Sequence, residues 1–228
     1  MKLSRPISLI IFSLLLAALV SGCAEPAPDS LPPVIKMESW RDIDFKDSVR
    51  SNADVPHNLS ELKFVDTDGN QVALANYVGK QNVVLVFTEG YADALCPFCQ
   101  TQTSRLITNY ARFQELNTEI IVVYPGDIEH LDEFIREAKT TAKEQVEKVP
   151  FPIVLDPALK AVDFFNIRSM LAHPSTYVIG RGGEVLLAYV GEDMSADRPS
   201  VKALLEILQG ADRGSEQPSP ADATEEAP

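Results

Sequence analysis

The run Asn82–Phe87 (NVVLVF) constrains this chain most. A stretch that is apolar at consecutive positions has no side to offer to water, so as a strand it must be covered on both faces. That requirement selects an α/β architecture, with helices packed on both sides of a central sheet. Residues 119–124 have the same character and are stopped by Pro125 and Gly126. Residues 62–65 and 71–74 flank the turn sequence DTDGN and predict a β-hairpin extension before the first buried strand. Leu106, Ile107, Tyr110, Phe113 and Leu116 recur at helical spacing between the two buried strands. A charged helix is expected from Leu131 to about Val146, then a short strand over 150–156 and a short helix over 157–165. Ser175–Ile179 and Val185–Val190 predict a second hairpin around Arg181, Gly182 and Gly183, and residues 201–208 a closing helix.

The chain ends lie outside this pattern. Residues 1–22 read as an export signal: Lys2 and Arg5 are the basic start, and the apolar core over 7–20 is too short to span a bilayer comfortably. Ser21 and Gly22 are small and Cys23 follows them, a pattern similar to the lipobox of bacterial lipoproteins. The resemblance implies lipid on Cys23 and an extracytoplasmic protein anchored to a membrane, each buried CH₂ contributing about 0.8 kcal/mol. By the same resemblance, Ala24 after the lipid site favours the periplasmic face of the outer membrane in a Gram-negative source. An ordinary secretory signal that happens to end in cysteine is the alternative. Residues 23–58 form the expected lipidated N-terminus and tether, rich in Pro, Ala and Asp over 24–33 and carrying Trp40 without a clean period. Residues 59–210 form one domain, and residues 211–228 an acidic tail expected to be disordered.

A formal charge of −13 excludes nucleic acid as a natural partner, because phosphate binding needs a basic face. The chain has three cysteines, and with Cys23 set aside only Cys96 and Cys99 remain. An exported domain with a single close pair has not built a disulfide framework. A loop this short also removes little unfolded-state entropy, so the pair is a chemical device rather than a staple.

The pair begins where the buried strand gives way to the long helix. A thiolate at a helix N-terminus faces unpaired N–H groups and the positive end of the dipole, both of which lower its pKa. Cys96, at the edge, is placed to attack a disulfide, and Cys99, one turn in, to resolve the mixed disulfide. Pro97 suits the first helical turn and stiffens the loop. Phe98 and Tyr91 either frame a peptide groove or cover the end of the sheet. Zinc is disfavoured because no second cysteine pair exists. Copper on Cys96, Cys99 and His173 is a further reading, although copper-delivery proteins of the Sco type have three residues between their cysteines. No metal and no cofactor beyond a redox-active Cys96–Cys99 disulfide is expected.

Residues 62–87, 151–167 (FPIVLDPALKAVDFFNI) and 174–191 (PSTYVIGRGGEVLLAYVG) resemble the alkyl hydroperoxide reductase/thiol-specific antioxidant group, the peroxiredoxin-like redoxins. The resemblance implies a thioredoxin-like three-layer sandwich with a mixed sheet, and redox chemistry on thiols or peroxides. Its partners would be protein or small-molecule disulfides, or peroxides, with an external thiol as electron donor. Peroxiredoxins place Pro seven residues and Thr three residues before the peroxidatic cysteine; here those slots hold Glu89 and Asp93. An ionised Asp93 beside Cys96 would raise its pKa and oppose peroxide chemistry. The tetrad Cys-Pro-Phe-Cys instead resembles the glutaredoxin tetrad. From the residues alone Glu89 and Asp93 are solvated loop acids; by resemblance to thioredoxins they are candidate proton shuttles. Pro174 resembles the cis-proline that faces the dithiol in thioredoxin folds, against a plain strand-entry proline. His173 either tunes Cys96 or caps a turn. The expectation is a thiol–disulfide oxidoreductase, with a thiol peroxidase as the alternative.

Overall fold

The computed structural model describes residues 43–140, 142 and 146–215; the export signal, Cys23, Trp40 and the tail beyond residue 215 lie outside the described residues. Seven strands form one mixed sheet: β1 (Lys63–Asp66), β2 (Gln71–Ala73), β3 (Asn82–Phe87), β4 (Thr118–Pro125), β5 (Ile153–Asp156), β6 (Ser175–Ile179) and β7 (Val185–Val190), in the order β2-β1-β5-β4-β3-β6-β7. The predicted hairpin β1–β2 is antiparallel and joins the sheet through β5, while β3, β4 and β5 run parallel in its centre. Four helices cover it: α1 (Pro97–Glu115), α2 (Leu131–Thr140), α3 (Lys160–Phe164) and α4 (Val201–Ser215).

Every residue of β3 is buried, as its unbroken apolar run requires. Its side chains alternate between two cores. Val84 and Val86 meet Ile120, Val122 and Tyr124 of β4 and the apolar faces of α1, α2 and α4. Val83, Leu85 and Phe87 face Ile121 and Val123, the α3 residues Ala161 and Val162, and the β1–β2 hairpin. Three helices on one face and α3 with the hairpin on the other make the three-layer sandwich. Helix α2 is shorter than expected, and α4 is longer, continuing into the first residues assigned to the acidic tail.

Residues 43–58, read from the sequence with the tether, hydrogen-bond along the β7 edge. Asn52 N–H donates to Ala188 O at 2.9 Å, and the Asn52 side chain both donates to and accepts from the Val190 backbone. Ser51 Oγ accepts from Ala188 N–H. An uncovered edge strand is a template for unwanted pairing, and this arm covers β7 with irregular backbone. Farther along, Lys46 N–H donates to Arg198 O at 2.8 Å, and Lys46 O accepts from Ser200 N–H at 2.9 Å. The arm thereby grips both sides of Pro199.

Candidate active site

The parallel strands β3, β4 and β5 end on the same side of the sheet, and the loops leaving that side meet over the start of α1. Cys96 is the N-cap of α1: its Sγ accepts from Cys99 N–H at 3.2 Å, and Pro97 occupies the first turn. A Pro at N1 loses no helical hydrogen bond, so the sequence can begin the helix there without cost to the ladder. Both cysteines are free thiols, each 2% exposed.

Glu89, in the loop after β3, is also buried, at 7% exposure. Its Oε1 accepts from the Cys96 thiol at 3.2 Å and from Met194 N–H at 2.9 Å, and its own N–H donates to Cys99 Sγ at 3.4 Å. The reading of Glu89 as a solvated acid is thus corrected: a partner removes the cost of burying it. That partner is Arg198, 1% exposed, whose Nη2 lies 2.6 Å from Glu89 Oε1 and 3.4 Å from each sulfur. Its guanidinium also lies over the Phe98 ring, 5.6 Å from the centroid, a cation–π contact. Sequence reasoning missed Arg198. It sits 109 residues beyond Glu89 with no local pattern around it, and no spacing rule reaches that far.

The electrostatics follow from burial and this one cation. Burial pushes the Cys96 thiol far up, reinforced by its hydrogen bond with Cys99 and by Glu89. Burial acts in the same sense on Cys99, but the hydrogen bond from Cys96 and the Arg198 charge outweigh it and bring Cys99 below the usual thiol range. The two sulfurs are one coupled system. It carries one negative charge readily and a second only at great cost. In this arrangement the charge rests on Cys99, and the Cys96 proton is shared between Cys99 and the Glu89 carboxylate.

The remaining predicted residues fall on either side of this cluster. Pro97 is buried beneath it and Phe98 borders it. Pro174 is buried at the entry to β6, and its carbonyl accepts from Gly191 N–H at 2.8 Å. Asp93 is exposed, at a positive φ of 66°, and joins no hydrogen bond to either sulfur. The acid that opposes a charge on Cys96 is therefore Glu89, not Asp93. His173 pairs through Nδ1 with Asp193 Oδ1 at 2.8 Å, half-exposed, and is not brought to the dithiol. Among the described residues, the potential ligand atoms that converge within 4.8 Å are those of Glu89, Cys96 and Cys99. Arg198 Nη2 already touches all three, so the position a cation would take is filled by the guanidinium. The three-ligand copper site with His173 is not assembled. Tyr91 stacks on His130 at 3.6 Å between ring centroids, on the loop side of the site.

With the geometry established, comparison with known proteins places it. The AhpC/TSA family model matches residues 55–188. The chain belongs to the AhpC/TSA family. Among curated relatives, a thiol-disulfide oxidoreductase ResA of Halalkalibacterium halodurans is 28% identical over 128 residues, 55% of this chain and 62% of the relative. The chain thus matches less than two thirds of that relative's length. Among solved structures, the reduced 2-Cys peroxiredoxin of Plasmodium vivax superposes with a TM-score of 0.54 at 19% identity, covering 68% of this chain and 93% of that one. A peroxiredoxin 6 variant of Arenicola marina gives 0.59 at 14% identity, covering 75% and 80%. Peroxiredoxin Q of Xanthomonas campestris gives 0.53 at 18% identity, covering 71% and 98%. At these identities the solved structures establish the fold, a mixed sheet with flanking helices of the thioredoxin-like peroxiredoxin type.

Proposed function

We propose that this AhpC/TSA protein is a thiol–disulfide oxidoreductase working through Cys96 and Cys99, held outside the cytoplasm by lipid on Cys23. The observation that carries the reading is the sealing of two free thiols, one carboxylate and one guanidinium at the start of α1. In the reaction, the Cys96 proton passes to Cys99, so the single charge moves to Cys96 and its thiolate attacks a substrate disulfide. The S–S bond breaks, a mixed disulfide forms, and one substrate thiolate leaves and is protonated. Cys99 then gives its proton to the Glu89 carboxylate and attacks the Cys96 sulfur, and the departing second substrate thiolate takes that proton, so two substrate thiols and the Cys96–Cys99 disulfide result. An external thiol donor reverses the last steps to restore the dithiol. The cofactor is the disulfide itself. The substrates are disulfides of proteins or small molecules, a reading supported by the name of the ResA relative and by the Cys-Pro-Phe-Cys tetrad.

A peroxidase is disfavoured because the positions that hold Pro and Thr before a peroxidatic cysteine hold Glu89 and Asp93 here. The test is turnover of insulin or glutathione disulfide with dithiothreitol. Cys96→Ser is expected to abolish turnover, and Cys99→Ser to accumulate a mixed disulfide on Cys96. Unchanged turnover in Cys96→Ser would end the proposal.

A further inference from the structure

Arg198 reaches the dithiol from a strap between β7 and α4, and its Nη1 also donates to Ser195 O within that strap. Met194, whose N–H is spent on Glu89, has a positive φ of 47°. A non-glycine residue in that region is held there only when its surroundings over-determine it. Gly191 is a further constraint: a Cβ there would meet Asp197 O at 2.0 Å. The strap is folded tightly onto itself and needs an external hold.

The N-terminal arm supplies one. Lys46 Nζ pairs with Asp197 Oδ1 and donates to Tyr189 Oη at 2.9 Å, while Tyr189 Oη donates to the same Asp197 oxygen. The Lys46 backbone brackets Pro199, as described above, and Asp47 accepts from Ser200 Oγ at 2.6 Å and from Lys202 Nζ at 3.1 Å. Three separate elements (the arm, β7 and the strap) therefore meet at Asp197, the residue before Arg198.

We propose that Lys46, Asp197 and Tyr189 are positioning residues for the dithiol, clamping the strap so that Arg198 lies within reach of both sulfurs. This rests on the oxidoreductase reading and extends it: the arm before the redox domain helps to position the active site. The clamp does not touch either sulfur; it acts through Arg198. The charged state of the clamp agrees with this. Asp197 is pushed up by burial, but the hydrogen bonds from Lys46 and Tyr189 outweigh that and hold it below the usual carboxylate range.

Arg198 stabilises the reduced, thiolate-bearing form over the disulfide, so weakening its reach favours oxidation of the pair. The experiment equilibrates the full chain against reduced and oxidised glutathione. Oxidation of the two thiols by glutathione disulfide yields the Cys96–Cys99 disulfide and two glutathione thiols. Arg198→Gln is expected to raise the equilibrium constant for disulfide formation about tenfold, equivalent to about 30 mV for a two-electron couple. Lys46→Met, Asp197→Asn and the packing-conservative Tyr189→Phe are expected to shift it severalfold in the same direction, and to move the pH of thiolate formation upward. Glu89, Arg198, Tyr124 and the partner cysteine are the titratable or charged groups that face the sulfurs, and none is altered by the clamp variants. The decisive arm is the double variant: Lys46→Met on Arg198→Gln should add nothing, because coupled residues are non-additive. Lys148→Ala, at a distant surface pair, should titrate as wild type. Clamp variants that titrate as wild type, or a Lys46→Met shift that persists without Arg198, would overturn the proposal. Failure of the Cys96→Ser turnover test would instead remove the oxidoreductase reading and leave the measured potentials standing.

Discussion

Four side chains account for the chemistry, and the balance among them is a matter of burial. Glu89 and Arg198 are both nearly inaccessible, so each is tolerated only because of the other. Removing one partner leaves a buried charge unpaired. Arg198→Met is expected to lower unfolding free energy by about 3–5 kcal/mol, as is usual when one member of a buried pair is lost. Replacing both by apolar residues of similar volume is expected to restore much of that loss, which chemical denaturation of the two variants against wild type measures. The same arginine sets the titration of the coupled thiols. With Arg198 present, Cys99 loses its proton below the usual thiol range, so alkylation of the pair by iodoacetamide should begin at lower pH than in Arg198→Met. Without it the first deprotonation moves up, and the alkylation profile shifts to higher pH. At this scale the sequence was half legible. Cys96, Cys99, Pro97 and Phe98 were found because a strand-to-helix junction with two close cysteines has few other uses. Glu89 was placed near the thiols but read as solvated, because the cation that permits its burial is remote in sequence. Asp93 and His173 were close in sequence or position to the expected site, yet their side chains face solvent and Asp193 respectively.

At the scale of elements, β3, β4, the two hairpins and α1 were legible because continuous burial and amphipathic spacing leave marks in sequence. The arm over 43–58 and the strap over 191–200 were not. Both are irregular and satisfy their polar groups by long-range bonds, such as Lys46 N–H to Arg198 O, which no periodicity records. The strap also depends on a close approach of backbone to backbone. Gly191→Ala would drive a Cβ into Asp197 O, so it should displace the strap and reproduce the redox shift expected for clamp variants. Acid should release the same contact. Asp197 has a folded pKa below its unfolded value, so its contribution is full above the ordinary carboxylate pKa of about 3.9 and is lost as pH falls through the lower folded value. The protection of the Lys46 and Ser200 amides against hydrogen exchange, relative to an unfolded chain at the same pH, should therefore fall on acidification to that range, and in Asp197→Asn it should be low at every pH.

For the whole molecule, the fold and the site point to different branches of one family. The sheet and helices superpose on peroxiredoxins, while the proposed exchange between dithiol and disulfide rests on the Cys-Pro-Phe-Cys tetrad. Fold does not decide chemistry here; the site does. The arm that covers the β7 edge also braces the strap, so a single packing interaction serves both protection of the sheet and placement of Arg198. The central claim is that Cys96 and Cys99 cycle as a two-electron pair. It is tested most directly by titrating the protein through graded glutathione redox buffers and mapping the products by mass spectrometry. The account predicts a single reversible transition to an intramolecular Cys96–Cys99 disulfide, absent in either serine variant. Rapid peroxide consumption with sulfenate on Cys96, and no such reversible transition, would contradict it.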